Sequence, residues 1–448
     1  MLKTFKLGGV HPEENKLSAG SAIEVLELPK TAYIPISQVL GAPSNPVVEK
    51  GAKVKVGQLI AKGEAFISAN VHSSVSGTVS KIDDITDASG YRRKTIIIDV
   101  EGDEWDENII KTDEIIREIK LSSEEIIKKI SEMGIVGLGG ATFPTYVKLK
   151  IPEGKKADVL IINGVECEPY LTSDHRLMLE KSEEMLTGIT ILMKALNVNR
   201  AVIGIENNKA DAIGHLQNLI NKNNTYYKGI EVCPLKVKYP QGGEKQLIKA
   251  ITDREVPSGK LPIDVNAVVQ NVGTAFAVYE AVQKNKPLFE RVVTITGKNL
   301  SRPSNFLVRI GTPVKELIEK AGGLPSDTGK VISGGPMMGK ALNSLDSPVV
   351  KGTSGLVVMK TDESPRLKTV NCIRCGKCVS VCPMGLEPYY LAVVAAKELY
   401  EEAEKHSVMD CIECGSCMFT CPSGRPLLDY LRVGKNKVGQ IIRNRSKN

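Results

Sequence analysis

The stretch Cys372-Ile-Arg-Cys375-Gly-Lys-Cys378-Val-Ser-Val-Cys382-Pro383 places four cysteines at short, fixed spacings. It recurs as Cys411-Ile-Glu-Cys414-Gly-Ser-Cys417-Met-Phe-Thr-Cys421-Pro422, so that each cysteine is repeated 39 residues later (411 − 372). The pattern C-x2-C-x2-C-x3-C-P, used twice, is the spacing with which cysteine thiolates hold two [4Fe–4S] clusters. The duplication therefore predicts a two-cluster domain in this part of the chain.

The last cysteine of each run is expected to cross to the other cluster. Two-residue gaps let three thiolates of a run converge on one cubane, and the fourth thiolate points the other way. One cluster is therefore assigned to Cys372, Cys375, Cys378 and Cys421, and the other to Cys411, Cys414, Cys417 and Cys382. Zinc is the competing metal, but a zinc site takes four ligands per ion and does not require the proline that ends each run. Cys167 and Cys233, which lie outside the runs, are interpreted as packing residues.

The overall composition indicates a globular, multidomain chain. Its 448 residues suffice for about three or four domains, and 42% of them are hydrophobic. The sequence has no run of about 18 apolar residues, and its start lacks the apolar core of a signal peptide, so we expect a cytoplasmic chain that does not cross the bilayer. Aromatic residues make up only 4% and no recognition motif is present, so nucleic-acid binding is not expected.

The last segment, residues 431–448, is basic. It contains no acid, and its cations are Arg432, Lys435, Lys437, Arg443, Arg445 and Lys447. One interpretation is a solvated, frayed tail. The other is a contact with an acidic partner or an anionic membrane surface.

The first hundred residues predict a small β domain. After an extended segment at residues 1–30, short apolar runs such as Val54–Val56 and Thr95–Val100 predict strands over residues 31–105. The segment from Glu49 to Val79 resembles the barrel-sandwich fold of biotinyl and lipoyl domains, which carry a cofactor on a lysine at a hairpin tip. Here the tip reads Ala69-Asn70-Val71-His72, so we expect a structural module without an attached group.

Residues 120–290 predict an α/β domain with a Rossmann-like, largely parallel sheet, because strand runs alternate with helical patterns. The helical patterns are Ser122–Met133, Asp174–Leu196, Asp211–Lys222 and Glu244–Ile251. Residues 291–360 predict a smaller β/α unit, and residues 361–430 hold the cysteine runs with one helix, Glu387–Ala403, between them. The fold class is therefore multidomain α/β combined with small β modules.

Four polar or glycine-rich segments form a candidate phosphate and nucleotide site in the α/β domain. Clustered glycines between Gly134 and Lys148 expose backbone N–H groups to a phosphate. A buried strand ends at Asn163, Glu166 and Glu168, and ligands of α/β sheets bind at such strand ends. Two similar strand-to-loop clusters are Tyr239–Lys245 and Gln270–Thr274.

In this order, the four segments resemble the flavin- and NADH-binding subunit of respiratory complex I. From Gly8-Gly9-Val-His-Pro through both cysteine runs, the chain is similar to the C subunit of the Rnf complex, an ion-translocating ferredoxin:NAD oxidoreductase. The resemblance implies a β-grasp domain of the soluble-ligand-binding (SLBB) type at 291–360 and a bacterial-ferredoxin-type domain at 361–430. It also implies non-covalent FMN held by Gly137, Gly139, Gly140, Lys148, Asn163, Gly243, Glu244, Asn271 and Thr274, with Glu166 and Glu168 near the flavin and nicotinamide. Positions that depart from the complex I pattern are Val136, Leu138, Val165, Lys245 and Gln270.

The function implied by the resemblance is electron exchange between NAD(H) and two [4Fe–4S] clusters through FMN. The implied partners are the membrane subunits of an Rnf complex, a ferredoxin-like cluster subunit and, indirectly, ferredoxin, with the chain peripheral on the cytoplasmic side of the membrane. Two alternatives remain open from the sequence. One is a flavin–iron–sulfur reductase that serves another acceptor, and the other is a non-catalytic scaffold that wires clusters together.

Overall fold

The computed structural model describes residues 2–445, which form an N-terminal segment followed by four modules. Within this range, none of the helices combines the length and the apolar character that a membrane crossing requires. The N-terminal segment contains one strand, β1 (Ile23–Val25), and otherwise runs as extended chain across the other modules.

The first module consists of two antiparallel sheets with the orders β2-β8-β7-β4 and β3-β5-β6. Alternating side chains such as Ile34, Ile60, Ile96 and Ile98 are fully buried between them. This arrangement confirms the predicted barrel-sandwich module. Its strands are β2 (Thr31–Pro35), β3 (Asn45–Pro46), β4 (Lys53–Val54), β5 (Leu59–Lys62), β6 (Val71–His72), β7 (Ser76–Thr86) and β8 (Arg92–Gly102).

The second module is an α/β domain built on a parallel sheet of order β11-β10-β9-β12, as expected for a Rossmann-like fold. The strands are β9 (Val159–Asn163), β10 (Ala201–Glu206), β11 (Ile230–Leu235) and β12 (Ala267–Asn271). The helices are α1 (Ser123–Glu132), α2 (Thr145–Leu149), α3 (Ser173–Glu180), α4 (Ser182–Leu196), α5 (Ala210–Lys222), α6 (Glu244–Thr252) and α7 (Val272–Gln283).

One helix of this domain was predicted wrongly. The pattern over Asp174–Leu196 predicts a single helix, but the structure divides it into α3 and α4 at Lys181, whose backbone lies at φ −126° and ψ 37°. The Ser182 hydroxyl bonds back to the carbonyls of Met178 and Leu179 at this break. Hydrophobic periodicity continues across the interruption, which is why the pattern alone does not reveal it.

The third module is a mixed sheet of order β1-β14-β13-β17-β15-β16 with one helix, α8 (Val314–Lys320). Its own strands are β13 (Glu290–Thr296), β14 (Ser304–Arg309), β15 (Thr328–Ser333), β16 (Lys340–Ala341) and β17 (Gly355–Lys360). The edge strand β1 comes from the N-terminal segment and pairs parallel to β14, with Ile23 opposite Asn305. The N-terminal segment is therefore built into this sheet.

The fourth module is helical and contains both cysteine runs. Its helices are α9 (Lys377–Ser380), α10 (Pro388–Ala396), α11 (Tyr400–Lys405), α12 (Ser416–Phe419) and α13 (Leu427–Arg445). The single helix predicted over Glu387–Ala403 is wrong, because the chain leaves α10 at Lys397 and Glu398 adopts a positive φ of 57° before α11 begins.

The structure also contradicts the interpretation of the basic segment, residues 431–448, as a solvated, frayed tail over the residues that it describes. Residues 431–445 belong to the 19-residue helix α13, which buries Leu431 and Val438 against the cluster module. A solvated, frayed tail is therefore wrong for this range, because every third or fourth position is apolar and packs. Lys447 lies outside the described residues.

Candidate cluster and flavin sites

The structure brings Cys382, Cys411, Cys414 and Cys417 together around one small cavity. The cavity is otherwise lined largely by apolar side chains, among them Leu386, Leu391, Leu428 and Leu431. These four cysteines are the set assigned from the spacing to one cluster, and Cys382 reaches it from the other run. We refer to this set as the buried cluster site.

Burial raises the pKa of the Cys411 thiol to about 11, with the charges of Lys435 and Cys414 acting in opposite directions. Burial also raises the pKa of Cys414 and Cys417, and in both cases the neighbouring Cys382 adds to the effect. Four converging thiols in an apolar cavity ionise only when a metal centre compensates their charge. The donor set and the cavity therefore fit an iron–sulfur cluster.

The other set lies at the surface. Cys372 and Cys375 are exposed, whereas Cys378 and Cys421 are partly buried. Burial raises the pKa of Cys378, and the negative charge of Cys421 raises it further, which places the last cysteine of the second run beside the first run. We refer to this set as the surface cluster site.

Within residues 2–445, no three Cys, His, Asp or Glu side chains lie close enough to hold a single metal ion.

The buried cluster site rests directly on the α/β domain. The Tyr239 hydroxyl donates to the Cys414 carbonyl at 2.7 Å, and the Gln246 amide donates to the Pro383 carbonyl at 3.3 Å. The N-terminal segment closes the same junction, since the Gly9 N–H donates to the Val381 carbonyl at 2.8 Å. Tyr239 begins one of the predicted polar clusters but was not predicted to touch a cysteine run, because a tyrosine in a loop carries no signal of a contact 175 residues away.

The third module contacts the buried cluster site through a turn after β15. Gly415 has a φ of +78°, and a Cβ on it would lie 2.6 Å from the Met337 carbonyl oxygen. Glu168 holds this turn, because its carboxylate accepts from the Met337 N–H at 3.1 Å and the Met338 N–H at 2.8 Å. Burial raises the pKa of Glu168 to about 7.

The glycine loop of the candidate flavin site packs against the start of α7. The Leu138 N–H donates to the Thr274 hydroxyl at 2.9 Å, and a Cβ on Gly139 would contact the Asn271 side chain at 3.5 Å. Gly140 has a φ of +115°, and a Cβ there would meet nothing within 4 Å. The loop backbone is thus open to an approaching group, as a phosphate or flavin cradle requires.

The two asparagines predicted for the site lie at neighbouring strand ends. Asn163, at the end of β9, donates to the Gly242 carbonyl at 2.9 Å. Asn271, at the end of β12, caps α7 by accepting from the Gly273 N–H at 2.8 Å. Its amide donates to Asp174 at 2.7 Å, and burial together with the charge of Glu166 raises the pKa of Asp174 to about 7. Asp174 is a member of this cluster that the sequence did not single out.

Lys148, Gly243 and Glu244 lie on the α6 side of the candidate flavin site. The Lys148 ammonium is 2.5 Å from Glu244 and donates to the Val269 carbonyl at 3.2 Å. Gly243 is the residue before α6 begins, so Glu244 lies in the first helical turn. The structure therefore gathers Gly139, Lys148, Asn163, Asn271 and Thr274 around one edge of the parallel sheet.

Glu166 and Glu168 are engaged inside the protein. The Glu166 carboxylate accepts from the Asp174 N–H at 2.8 Å and the His175 N–H at 3.2 Å, which caps α3. The ammonium of Lys16 donates to the carbonyls of Glu166 and Glu168 at 2.8 Å each and so fixes the loop between them. A role of these glutamates beside flavin and nicotinamide stays a prediction.

Four family models match the chain. They describe an RnfC barrel-sandwich hybrid domain over residues 3–103, a Nuo51 FMN-binding domain over 130–280, an SLBB domain over 292–341 and a 4Fe–4S dicluster domain over 364–423. A crystal structure of an NAD+-reducing [NiFe]-hydrogenase in the H2-reduced state shares the fold at a TM-score of 0.51, with 17% identity over 71% of this chain and 63% of that chain. The fold and the two kinds of site define the class of iron–sulfur flavoproteins built on a Nuo51-like domain.

Curated relatives make the family specific. The C subunit of a proton-translocating ferredoxin:NAD(+) oxidoreductase complex from Clostridium ljungdahlii is 48% identical over 98% of this chain and 94% of its own length. The C subunit of a Na(+)-translocating ferredoxin:NAD(+) oxidoreductase complex from Acetobacterium woodii is 44% identical over 97% of both chains. The C subunit of an ion-translocating oxidoreductase complex from Rhodobacter capsulatus is 42% identical over 98% of this chain and 84% of its own length. The chain belongs to this family, the C subunits of ion-translocating ferredoxin:NAD(+) oxidoreductase (Rnf) complexes.

Proposed function

We propose that this chain carries electrons between NAD(H) and two [4Fe–4S] clusters by way of non-covalently bound FMN, as a subunit of an ion-translocating ferredoxin:NAD oxidoreductase complex. The observation that carries the proposal is the direct contact between the buried cluster site and the α/β domain. That contact consists of the Tyr239 hydrogen bond to the Cys414 carbonyl and the Gln246 hydrogen bond to the Pro383 carbonyl. Two redox sites joined by packed protein in this way suit electron transfer between them.

The residues at the α/β site suit the binding of FMN. When bound, FMN supplies the conversion between two-electron hydride transfer and one-electron transfer. Open backbone N–H groups at Gly139 and Gly140 would receive its phosphate or ring edge, and Lys148 would add a positive charge. Asn163 and Asn271 hold their amides at the ends of β9 and β12, where they would orient the ligand. The protein thereby supplies binding and orientation, and the cofactors supply the redox chemistry.

At the cluster sites, the proposed ligands are the eight cysteines in their crossed arrangement. Cys382, Cys411, Cys414 and Cys417 would hold the cluster next to the flavin domain, and Cys372, Cys375, Cys378 and Cys421 the cluster at the surface. We further propose that the chain is peripheral on the cytoplasmic side of the membrane, where it assembles with the membrane subunits and a ferredoxin-like cluster subunit of the complex. Ferredoxin would be connected through these partners.

The proposal is tested by anaerobic purification, with iron counted, flavin extracted and the flavin absorbance followed after NADH is added. We expect about eight iron atoms and one FMN per chain, and bleaching of the flavin by NADH. The variant G139V places a branched side chain beside Asn271 and should lose flavin while keeping its iron. The matched control is G214V, since Gly214 lies on α5 with nothing within 4 Å of its Cβ position. Flavin-free wild-type protein, or flavin that NADH leaves oxidised, would contradict the proposed function.

A further inference from the structure

The loop between β9 and α3, residues 164–172, is held by one lysine of the N-terminal segment. The ammonium of Lys16 donates to the carbonyls of Glu166 and Glu168 at 2.8 Å each and to the carbonyl of Leu171 at 2.6 Å. An ammonium has three N–H donors, so each of them has an acceptor in this loop. We call residues 164–172 the bridging loop.

The neighbours of Lys16 bind the same loop. The Asn15 N–H donates to the Pro169 carbonyl at 3.0 Å, and the hydroxyls of Ser18 and Thr172 are hydrogen-bonded to each other at 2.6 Å. The N-terminal segment therefore lies along the bridging loop on both sides of the point where the Lys16 side chain reaches into it.

The bridging loop contains a residue in an unfavourable backbone conformation. Glu166 has a φ of +47°, in the left-handed region that residues other than glycine rarely adopt. Such a conformation persists where the surrounding contacts over-determine it, and it is frequent at functional sites. Here the Glu166 carbonyl accepts from Lys16, and its carboxylate accepts from the Asp174 N–H at 2.8 Å. The shape of the loop therefore depends on contacts from outside it.

The two glutamates of the bridging loop connect the candidate flavin site with the buried cluster site. The Glu166 carboxylate fixes the start of α3, where Asp174 accepts from the Asn271 amide at 2.7 Å. The Glu168 carboxylate accepts from the Met337 N–H at 3.1 Å and so holds the turn that contacts the buried cluster site. One short loop thus joins both sites, and Lys16 binds this loop at the carbonyls of both glutamates.

We propose that Lys16 is a positioning residue for electron transfer, which fixes the bridging loop and thereby the separation between the candidate flavin site and the buried cluster site. This proposal rests on the proposed function, because it requires both cofactors to be bound. The transfer is the one in the proposed function, in which the reduced flavin loses one electron and the cluster gains it. Lys16 acts through the loop and contacts neither of the proposed ligand sets.

The test uses the full-length protein loaded with clusters and FMN, in the variant K16M. Methionine removes the three donors but keeps an unbranched side chain of similar length. The matched control is K6M, because Lys6 lies on the same segment with an exposed side chain. Stopped-flow mixing with NADH measures flavin bleaching. Laser-flash photoreduction of the bound flavin measures the following electron transfer to the cluster, without limitation by the NADH step.

The expected result is a separation of these two steps. K16M should lower the rate constant of cluster reduction at least about tenfold, because small misplacements of reacting groups have large effects on rates. Flavin bleaching by NADH should stay within about twofold of wild type, as should both steps in K6M. The iron and FMN contents of both variants should equal those of wild type. A loss of stability alone would not slow one step and spare the other.

Hydrogen exchange tests the position of the loop without any redox reaction. The amides that donate to the two glutamates belong to Asp174, His175, Met337 and Met338. In K16M these amides should exchange at least about tenfold faster than in wild type, as measured by mass spectrometry of peptides that contain them. K6M should leave their exchange unchanged. K16Q, which keeps two N–H donors, should show the same changes to a smaller extent, and it takes the place of K16M if K16M does not fold.

The proposal is overturned if K16M reduces the cluster at the wild-type rate or leaves the exchange of these amides unchanged. It is also overturned if K16M slows flavin bleaching and cluster reduction equally, or if K6M slows cluster reduction as much as K16M. Failure of the proposed function gives a different result, because NADH would then leave the flavin of the wild-type protein oxidised. In that case the exchange measurement still decides whether Lys16 positions the bridging loop.

Discussion

Two equivalent glycines of the cysteine runs should respond very differently to alanine. Gly376 and Gly415 occupy the same place in the two runs and have nearly the same φ, +73° and +78°. A Cβ on Gly376 would meet nothing within 4 Å, whereas a Cβ on Gly415 would lie 2.6 Å from the carbonyl oxygen of Met337. Comparing the two alanine variants therefore separates two destabilising effects. One is the left-handed backbone conformation of an alanine, and the other is the steric clash of its Cβ with the third module.

The expected magnitudes follow from these two terms. Both G376A and G415A place an alanine in the left-handed region, which costs about 1–2 kcal/mol. G415A also pushes the Met337 turn away, and overpacking of this kind costs about 1–3 kcal/mol more. Because the clash involves backbone on both sides, a side-chain rotation does not relieve it. G415A should therefore be the less stable variant by about 1–3 kcal/mol.

The assay is anaerobic denaturant unfolding of the cluster-loaded variants, combined with stopped-flow reduction of the clusters by NADH. G415A should also slow electron passage from the flavin domain to the clusters, since the displaced turn opens the junction at Tyr239. G376A should retain the wild-type rate. If the free energies of unfolding of the two variants differ by less than about 0.5 kcal/mol, the close approach of Gly415 to Met337 does not limit the side chain at this position, and the reasoning is refuted.

Three further predictions concern the cysteines, Glu168 and Lys148. The variant C421A should lose the cluster at the surface cluster site, which is about half of the iron, and the cluster at the buried cluster site should remain detectable by EPR. Loss of the cluster at the buried cluster site instead would contradict crossed ligation. Since burial raises the pKa of Glu168 to about 7 from 4.5, the folded protein retains a proton that the unfolded chain releases. Stability relative to E168Q should therefore fall as pH rises between about 4.5 and 7 and level off above, and a melting-temperature difference that does not change with pH would contradict this. The variant K148M should weaken FMN binding about tenfold or more, as measured by fluorescence titration of the deflavinated protein. Unchanged affinity would show that Lys148 only forms the ion pair with Glu244 and does not contact FMN.

Much of the architecture was accessible from the sequence because local patterns report local structure. The cysteine spacing predicts which thiols converge, and the structure gathers Cys382 with Cys411, Cys414 and Cys417 around one cavity. Strand and helix alternation likewise predicts a largely parallel sheet in the α/β domain, and the structure confirms that its strands pair in parallel. Both inferences depend only on periodicity and spacing within one segment of chain.

Contacts between modules were not accessible in this way. Lys351 is buried, and its ammonium donates to the carbonyls of Asn70 and Gly134, at 2.7 Å each, in two other modules. Burial lowers the pKa of this lysine to about 7. In the sequence Lys351 reads as an ordinary surface cation, since lysines are seldom buried. The partners of Tyr239 and Lys16 are hidden from the sequence for the same reason, because their meaning depends on residues more than a hundred positions away.

Breaks within helices were missed for a different reason. Apolar periodicity runs on through Lys181 and through Lys397–Leu399, although the backbone leaves the helical conformation at both places. Neither break contains proline or glycine, the residues that usually mark a helix end. At the first break the Ser182 hydroxyl bonds to the carbonyls of Met178 and Leu179, and a single sequence does not show such contacts.

The long reach of the N-terminal segment has a consequence for how the chain is made. Gly9 hydrogen-bonds to Val381, and β1 pairs with β14, so part of the segment that is translated first meets its partners only after residue 300 has been made. At about 5–20 residues per second, the ribosome needs roughly 20 to 75 seconds to add the 372 residues between Gly9 and Val381 (381 − 9). During that interval the barrel-sandwich module and the α/β domain can fold before the N-terminal segment has made all of its contacts. The contact between Gly9 and Val381 would then be among the last to form as the chain folds.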